Sequence, residues 1–358
     1  MAIFTEVFED VTKQGRKIPT GDYHTEGMYP IIDQGQNEIA GYTNENDGLF
    51  TDVPAIVFGD HTRVVKYVDT PCFLGADGVK LLKAKIPNPN YKYLYYVLSC
   101  VNIPNTGYNR HFKWLKEVQI PLPSATEQQQ IVAVLDKINE LIALRKEQLA
   151  KRDLLVKSRF IELFGDPETN PKGLKEVMLS DIAEYFNGLT YSPDNVSNTG
   201  TIVLRSSNIQ NSQLDFEDTV RVNCSIKEKL YVKDNDILMC SRNGSARLVG
   251  KVALIKNLTE PMSFGAFMMI IRSKYYPYLM TYFQMDAFRG QIATGATTTI
   301  NQITGNMLNK ISLPLPELSD IELFAAFVEQ TDKSKMAIQQ SLGKLELLKK
   351  SLMQEYFA

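Results

Sequence analysis

Two kinds of hydrophobic pattern alternate along this chain. Residues 121–165 and 313–358 open on Pro-Leu-Pro, contain no later proline, and carry apolar residues at heptad spacing among many charges. That is the signature of long helices. In the first, Leu135, Ile142, Leu149, Val156 and Leu163 recur every seven residues, while the companion seam starts at Ile131 and Ile138 and turns basic at Arg145, Arg152 and Arg159. In the second, Phe324, Ile338, Leu345 and Leu352 hold one seam, and Lys335 and Lys349 interrupt the other. A helix of about forty residues is roughly 60 Å long and is not stable alone. The two are therefore expected to pack on each other; the alternative is that each lies on its own domain.

The same stretches repeat. Pro121-Leu122-Pro123 returns as Pro314-Leu315-Pro316, 193 residues later, and at that offset Leu154 and Leu155 meet Leu347 and Leu348. Lys157 and Ser158 likewise meet Lys350 and Ser351, and Glu162 and Phe164 meet Glu355 and Phe357. Before each Pro-Leu-Pro a period-two pattern, Val118, Ile120, Leu122 and then Ile311, Leu313, Leu315, predicts a short strand. Thr126 with Gln129, and Ser319 with Glu322, predict capping boxes at the helix starts.

Residues 1–120 and 166–312 read as globular. Ile56-Val57-Phe58 parallels Ile237-Leu238-Met239 as a buried strand, Pro71 to Gly75 parallels Pro261 to Gly265, and Asp10-Val11 matches Asp181-Ile182 at the domain starts. Residues 237–241 and 248–255, joined through Asn243-Gly244, form a hairpin candidate. Residues 99–106 and 166–173 look like loops or linkers. The expected fold class is α+β: two globular α/β domains separated by two long helices packed as an antiparallel coiled coil, with a pseudo-twofold internal repeat.

Composition narrows the function. The 358 residues carry 39 Lys+Arg against 41 Asp+Glu, which argues against a wholesale polycation but leaves local basic loops open. Four separated cysteines and three histidines make a zinc site an unattractive reading and a reducing compartment the expected one. The acidic start, MAIFTEVFEDV, is unlike a signal peptide, and the apolar stretch 264–271 is too short to span a bilayer. A cytoplasmic, non-membrane protein is expected.

Catalytic signatures are missing. The sequence has no Walker A loop, no GxGxxG after a strand and no HExxH. Asn88-Pro89-Asn90-Tyr91 is slightly like an amino-methyltransferase motif but lacks its second proline, and reads as a turn. His24, His61 and His111 lie in polar loops without a neighbouring nucleophile, and read as surface or hydrogen-bonding histidines. The chain is expected to catalyse nothing alone and to hold no metal or cofactor.

Charge divided by segment is more informative. Residues 1–120 hold 12 basic and 14 acidic side chains, and residues 166–312 hold 15 and 14. Residues 242–256 nevertheless carry Arg242, Arg247, Lys251 and Lys256 with no acid, and residues 105–116 carry Arg110, Lys113 and Lys116 with none. Such clusters neutralise phosphates, while Arg, Asn and Gln reach base edges. In the first region the DNA-binding candidates are Gln34, Gln36, Asn37, Arg63, Tyr108, Asn109, Arg110 and Lys113. In the second they are Arg205, Asn208, Arg242, Asn243, Arg247, Lys251, Thr298, Asn301 and Gln302. A solvated basic face is the ordinary explanation of any one cluster; their recurrence in both repeats is what favours binding. Two unlike domains on a helical spacer would read two unlike half-sites, as dyad-related readers take half-sites about 34 Å apart or multiples of it.

The most specific residues are Ile120-Pro121-Leu122-Pro123 with Glu127, Gln128 and Ile131 opening the first helix, and Phe164-Gly165-Asp166-Pro167 with Asn170-Pro171-Lys172-Gly173 opening the second domain. With these in this order the chain resembles the specificity subunit of type I restriction–modification enzymes over essentially its whole length. The first domain is on the short side for that family. The resemblance implies two target-recognition domains, each reading half of an asymmetric bipartite double-stranded DNA site. It implies helices that dock two methyltransferase subunits carrying S-adenosylmethionine, joined by restriction (motor-nuclease) subunits that use ATP and Mg. It carries over no catalytic residue. Asp320-Ile321 stands where the first helix has Glu127-Gln128, which puts the equivalence of the two docking sites in doubt. A coiled-coil scaffold whose domains bind proteins rather than DNA is the competing reading, and an enzyme with an unrecognised site is a further one.

Overall fold

A computed structural model describes residues 1–75, 78–104, 106–107, 109–293 and 302–357. The chain forms two compact units, Met1–Glu147 with Ile338–Ala358, and Gln148–Ala337. Each contains a strand-rich domain and parts of both long helices, so the helices are shared between units.

In the first unit an antiparallel sheet has the order Phe8–Asp10, Val79–Ala84, Ala55–Gly59, Val65–Val68. Ala55–Gly59 is buried at every position, which is why its sequence is a continuous apolar run rather than an alternation. A smaller sheet pairs Tyr29–Ile32 in parallel with Phe73–Leu74. The helix Tyr91–Cys100 packs its Tyr93, Leu94, Val97 and Leu98 into the core, and Asn90 caps it by accepting the Tyr93 N–H at 3.1 Å. Asn88 to Tyr91 is thus the turn into a helix.

The second unit repeats this plan. Its antiparallel sheet runs Glu184–Asn187, Met268–Arg272, Ile237–Cys240, Val252–Leu254, and Thr201–Leu204 pairs in parallel with Met262–Phe264. Ile56 to Phe58 and Ile237 to Met239 occupy the same central strand. Pro71 to Gly75 and Pro261 to Gly265 lead through the same parallel pairing. The hairpin of 237–240 with 252–254 forms, but its connection is a longer loop with a helical turn at Ala246–Leu248 rather than a tight Asn-Gly turn. The domain starts align differently from expectation. The short helix Phe4–Val7 corresponds to Leu179–Ile182, so Glu6-Val7 is the partner of Asp181-Ile182, and Asp10 belongs to the following strand. Each short helix follows a strand that pairs with the segment leading up to or into Pro-Leu-Pro: Ala2–Ile3 with Gln119–Ile120, and Lys175–Met178 with Ser312–Leu315.

The long helices are Ala125–Phe164 and Leu318–Phe357, each of 40 residues. The first cap lies two residues earlier than expected. Ser124 Oγ accepts the Glu127 N–H at 3.3 Å while the Glu127 carboxylate accepts the Ser124 N–H at 2.9 Å, a capping box. The second helix starts at Leu318, so Ser319 already lies in its first turn. Leu135 and Ile138 are buried, as are Ile321, Phe324, Thr331 and Lys335 on the second helix. Within the second unit Phe160 meets Phe324 (5.7 Å between ring centroids) and Asp153 meets Lys335 (2.8 Å), so the helices run antiparallel there. Within the first unit Lys146 pairs with Glu346 at 3.2 Å.

One anchor recurs. The Tyr93 hydroxyl donates to the Pro121 carbonyl at 3.0 Å and its ring meets Phe357 at 5.7 Å; the Tyr278 hydroxyl donates to the Pro314 carbonyl at 2.6 Å and its ring meets Phe164 at 5.3 Å. Each domain thus holds the start of its own helix and the end of the other. Burial gives such aromatics most of their stabilising effect. No helix among the described residues is long and apolar enough to cross a membrane.

Candidate nucleic-acid interface

In the first domain three loops separated in sequence come together. They are residues 33–37 after Tyr29–Ile32, residues 60–64 after Ala55–Gly59, and residues 101–104 and 109–111 before the short helix Phe112–Leu115. The His61 N–H donates to Gln34 Oε1 at 3.2 Å, and Thr62 Oγ1 donates to the Gln34 carbonyl at 2.6 Å. The Arg63 guanidinium donates to the Ile103 carbonyl at 3.1 Å, and His61 Nδ1 lies 3.2 Å from the Asn109 carbonyl. Beneath them Asp60 and His111 are buried at 3% and 0% exposure. The Asp60 carbonyl accepts the His111 N–H at 2.8 Å, and its carboxylate accepts the Phe112 N–H at 2.8 Å. Lys66, buried under residues 33–37, pairs with Asp33 at 3.3 Å and donates to the Asn37 carbonyl.

The packing is close. At Gly78, with φ +83°, a Cβ would come 2.6 Å from the Gln34 amide and 2.7 Å from the His61 ring. Arg63 has φ +63°, a left-handed conformation uncommon outside glycine, held by this lacing. Gln36, Asn37, Asn109 and Arg110 are exposed around the cluster, and Lys113 lies next to it with its ammonium 3.9 Å from the Trp114 ring. Among the described residues the Arg110 side chain makes no ion pair.

The second domain uses equivalent loops with other side chains. The Ile303 N–H donates to the Ser241 carbonyl at 2.7 Å, the counterpart of His111 to Asp60. Arg242 and Gln302 form a β-bridge, and Asn243 Nδ2 donates to Ser206 Oγ at 3.2 Å, tying residues 241–251 to residues 205–208. Arg242, Arg247 and Gln302 are exposed. The Arg242 guanidinium lies over the Phe267 ring at 5.5 Å.

Other candidates have local duties. Asn208 is fully buried: its Oδ1 accepts the Arg205 N–H, and its amide donates to the Asp215 and Asp218 carbonyls. It shapes the loop and has no free edge for a base. Arg205 makes two 2.8 Å bonds to the Asp218 carboxylate, and Lys251 donates to the Ile209 carbonyl at 3.0 Å. Tyr108, Thr298 and Asn301 lie outside the described residues. Sequence reading missed Asp60, buried beneath the first face, and Phe267, exposed on the second; His111 is a hydrogen-bonding histidine, as expected. The Gly265-Ala266 turn inside the apolar run 264–271 was the signal for Phe267.

Among the described residues no group of three or more His, Cys, Asp and Glu could hold a metal. Burial pushes the Cys72 thiol up to about 12, and burial also raises Cys240 beneath the second face, against the opposing effect of its hydrogen bond with the Arg242 backbone. Neither is a thiolate nucleophile at neutral pH. A groove of about 750 Å³ lies away from the first face, against Tyr93, Pro121, Leu122 and Tyr356.

Two strand-rich domains with matching polar loops on shared antiparallel helices define a duplicated domain–helix protein. A sequence model of the family described as type I restriction modification DNA specificity domain matches residues 4–151 and 171–350, and the chain belongs to that family. It is 30% identical over 144 residues to the EcoR124I/EcoR124II specificity subunit of Escherichia coli, covering 37% of this chain and 36% of that one. It is 28% identical over 183 residues to the StySPI specificity subunit of Salmonella potsdam, covering 48% of this chain and 39% of that one. These matched segments span less than half of either relative. In fold it is similar to the type I restriction–modification S subunit of M. genitalium, with a TM-score of 0.60, 16% identity, and 100% and 95% of the two chains covered. A second structure, described as concerning complex assembly and conformational transition of the type I restriction–modification system, gives a TM-score of 0.55 at 17% identity, with 99% and 95% covered.

Proposed function

We propose that this chain is the DNA-reading subunit of a type I restriction–modification complex, and that its two domains read unlike halves of an asymmetric bipartite duplex site. The observation that carries this reading is the convergence of equivalent loops in both domains, with the same backbone bond (His111 to Asp60, Ile303 to Ser241) and different exposed side chains. A shared frame with unlike amides and guanidinium groups suits two unlike sequences. Arg110, Arg242 and Arg247 contact phosphate or guanine edges, and Gln36, Asn37 and Gln302 supply amide forks. The domains are near neutral overall, so partner subunits supply part of the grip on DNA.

The helices dock two methyltransferase subunits, which bring S-adenosylmethionine; restriction subunits bring ATP and Mg. Leu154 and Leu155 (63% and 48% exposed) and Leu347 and Leu348 (69% and 47%) support this, because equivalent positions of the repeat present apolar pairs to solvent. The chain itself contributes recognition and assembly rather than catalysis.

A salt titration of specific duplex binding by the assembled complex tests the reading. With about three phosphate contacts per domain, affinity falls about a thousandfold between 50 and 200 mM salt. A complex with no salt-dependent duplex affinity would mean that the domains bind proteins instead.

A further inference from the structure

Of the exposed phenylalanine rings of the second unit, Phe216 and Phe267, the second stands on the candidate face. Phe267 is 59% exposed, although Phe264 and Met268 beside it are buried. It occupies the third position of a β-turn closed by the Met268 N–H donating to the Gly265 carbonyl at 2.8 Å. The Ser241 and Arg242 N–H groups both donate to the Phe267 carbonyl, at 3.0 and 3.1 Å. The backbone under the ring is therefore pinned at both sides, and the ring is held out by the turn rather than by slack.

A lone exposed apolar side chain is ordinary on any surface. The surroundings of this one are not. The Arg242 guanidinium lies over the ring at 5.5 Å, Gln302 bridges to Arg242, and Asn243 and Arg247 follow on the same loop. An aromatic wedge thus rises within the basic, amide-bearing face of the second domain. The corresponding segment of the first domain reads Gly75-Ala76-Asp77-Gly78 and has no aromatic.

We propose that Phe267 presses into a base step of the half-site read by the second domain and partly unstacks it, while Arg242 neutralises a phosphate beside the opened step. Apolar wedges act in this way on duplex DNA, and flexible pyrimidine–purine steps open at least cost. The ligand class is a duplex with such a step in one half-site, and the first domain brings no aromatic wedge to the other. This rests on the DNA-reading function proposed above.

The test uses the assembled complex and duplexes carrying its own methylation-mapped site, with a fluorescent purine analogue replacing each purine in turn. Apart from the bases that the methyltransferase subunits themselves flip out, binding should raise fluorescence at one step, within the half-site whose recognition Arg242→Ala impairs. Phe267→Ala should abolish that rise and weaken binding about tenfold, the scale of one lost base–aromatic contact. Phe267→Trp should retain both, and neither variant should change subunit assembly or thermal unfolding. A rise that survives Phe267→Ala, or no rise with the unaltered complex, overturns the wedge. If Arg242→Ala and Phe267→Ala both leave duplex binding unchanged, the DNA-reading function of this domain fails as well.

Discussion

The two candidate faces rest on one scaffold and are held in different ways. In the first domain the loops are laced to one another by side chains, with Asp60, His111 and Lys66 buried as the ties. In the second, Asn208 closes its own loop and Arg205 is engaged by Asp218, 13 residues on, while single bonds from Asn243 to Ser206 and from Lys251 to Ile209 tie one loop to the next. That leaves Arg242, Arg247 and Phe267 exposed. The shared frame is the sheet, the backbone bond between the second and third loops, and the tyrosine anchor at Pro-Leu-Pro. The second domain adds a small hairpin, Ile209–Gln210 with Gln213–Leu214, and on the two faces the differences lie in side chains that face outward or pin a loop.

The largest expected effect compares the two aromatic anchors. Phe164 is 2% exposed in the second unit, whereas its repeat partner Phe357 is only partly buried in the first. Phe164→Ala should cost about 3–5 kcal/mol in equilibrium unfolding and Phe357→Ala clearly less. Equal losses would show that the two anchors carry equal weight. Next comes the tie under the first face. Asp60→Ala strands the buried Phe112 N–H, now bonded at 2.8 Å, and should cost about 1–3 kcal/mol. It should weaken recognition of one half-site only, as measured by competition with half-scrambled duplexes.

Smaller still is the helix cap. Ser124→Ala should cost about 1 kcal/mol. The equivalent position of the second helix is Glu317, so Glu317→Ala should cost less. The hydrogen bonds from Ser124 hold the Glu127 carboxyl below its usual range. Its stabilising effect is therefore complete above the ordinary glutamate range and fades as pH falls through the lowered folded value. Glu127→Gln should lose that increment of acid sensitivity in a pH series of unfolding, with the remainder of the profile unchanged.

What could be read in advance followed the range of the interactions. The long helices were legible because heptad spacing is local and repeated, and the buried strands at Ile56 and Ile237 because their apolar runs are too short for a buried helix. The cap was displaced because Thr126 and Ser124 both offer hydroxyls at helix-start spacing, and sequence spacing does not tell which carbonyl first becomes helical. Asp10 was matched to Asp181 because both precede an apolar residue; the strand pairing separates them. Several candidate site residues could be named because basic and amide-rich loops stand out in sequence. Their grouping could not, since Asp60 and Phe112 are 52 positions apart and meet only through the sheet. Asn208 shows the converse: an amide in a polar loop reads the same whether it faces solvent or closes its own turn.

The central claim is that each domain reads its own half-site through its own exposed guanidinium. Competition binding by the assembled complex, against duplexes with either half of the methylation-mapped site scrambled, tests it most directly for Arg110→Ala and Arg242→Ala. Each substitution should cost about 1–3 kcal/mol on the intact site. Each should make the complex indifferent to scrambling one half, a different half for each variant, with subunit assembly intact. If both variants lose discrimination at the same half, or if either loses assembly instead of binding, the account of two independent reading faces is contradicted.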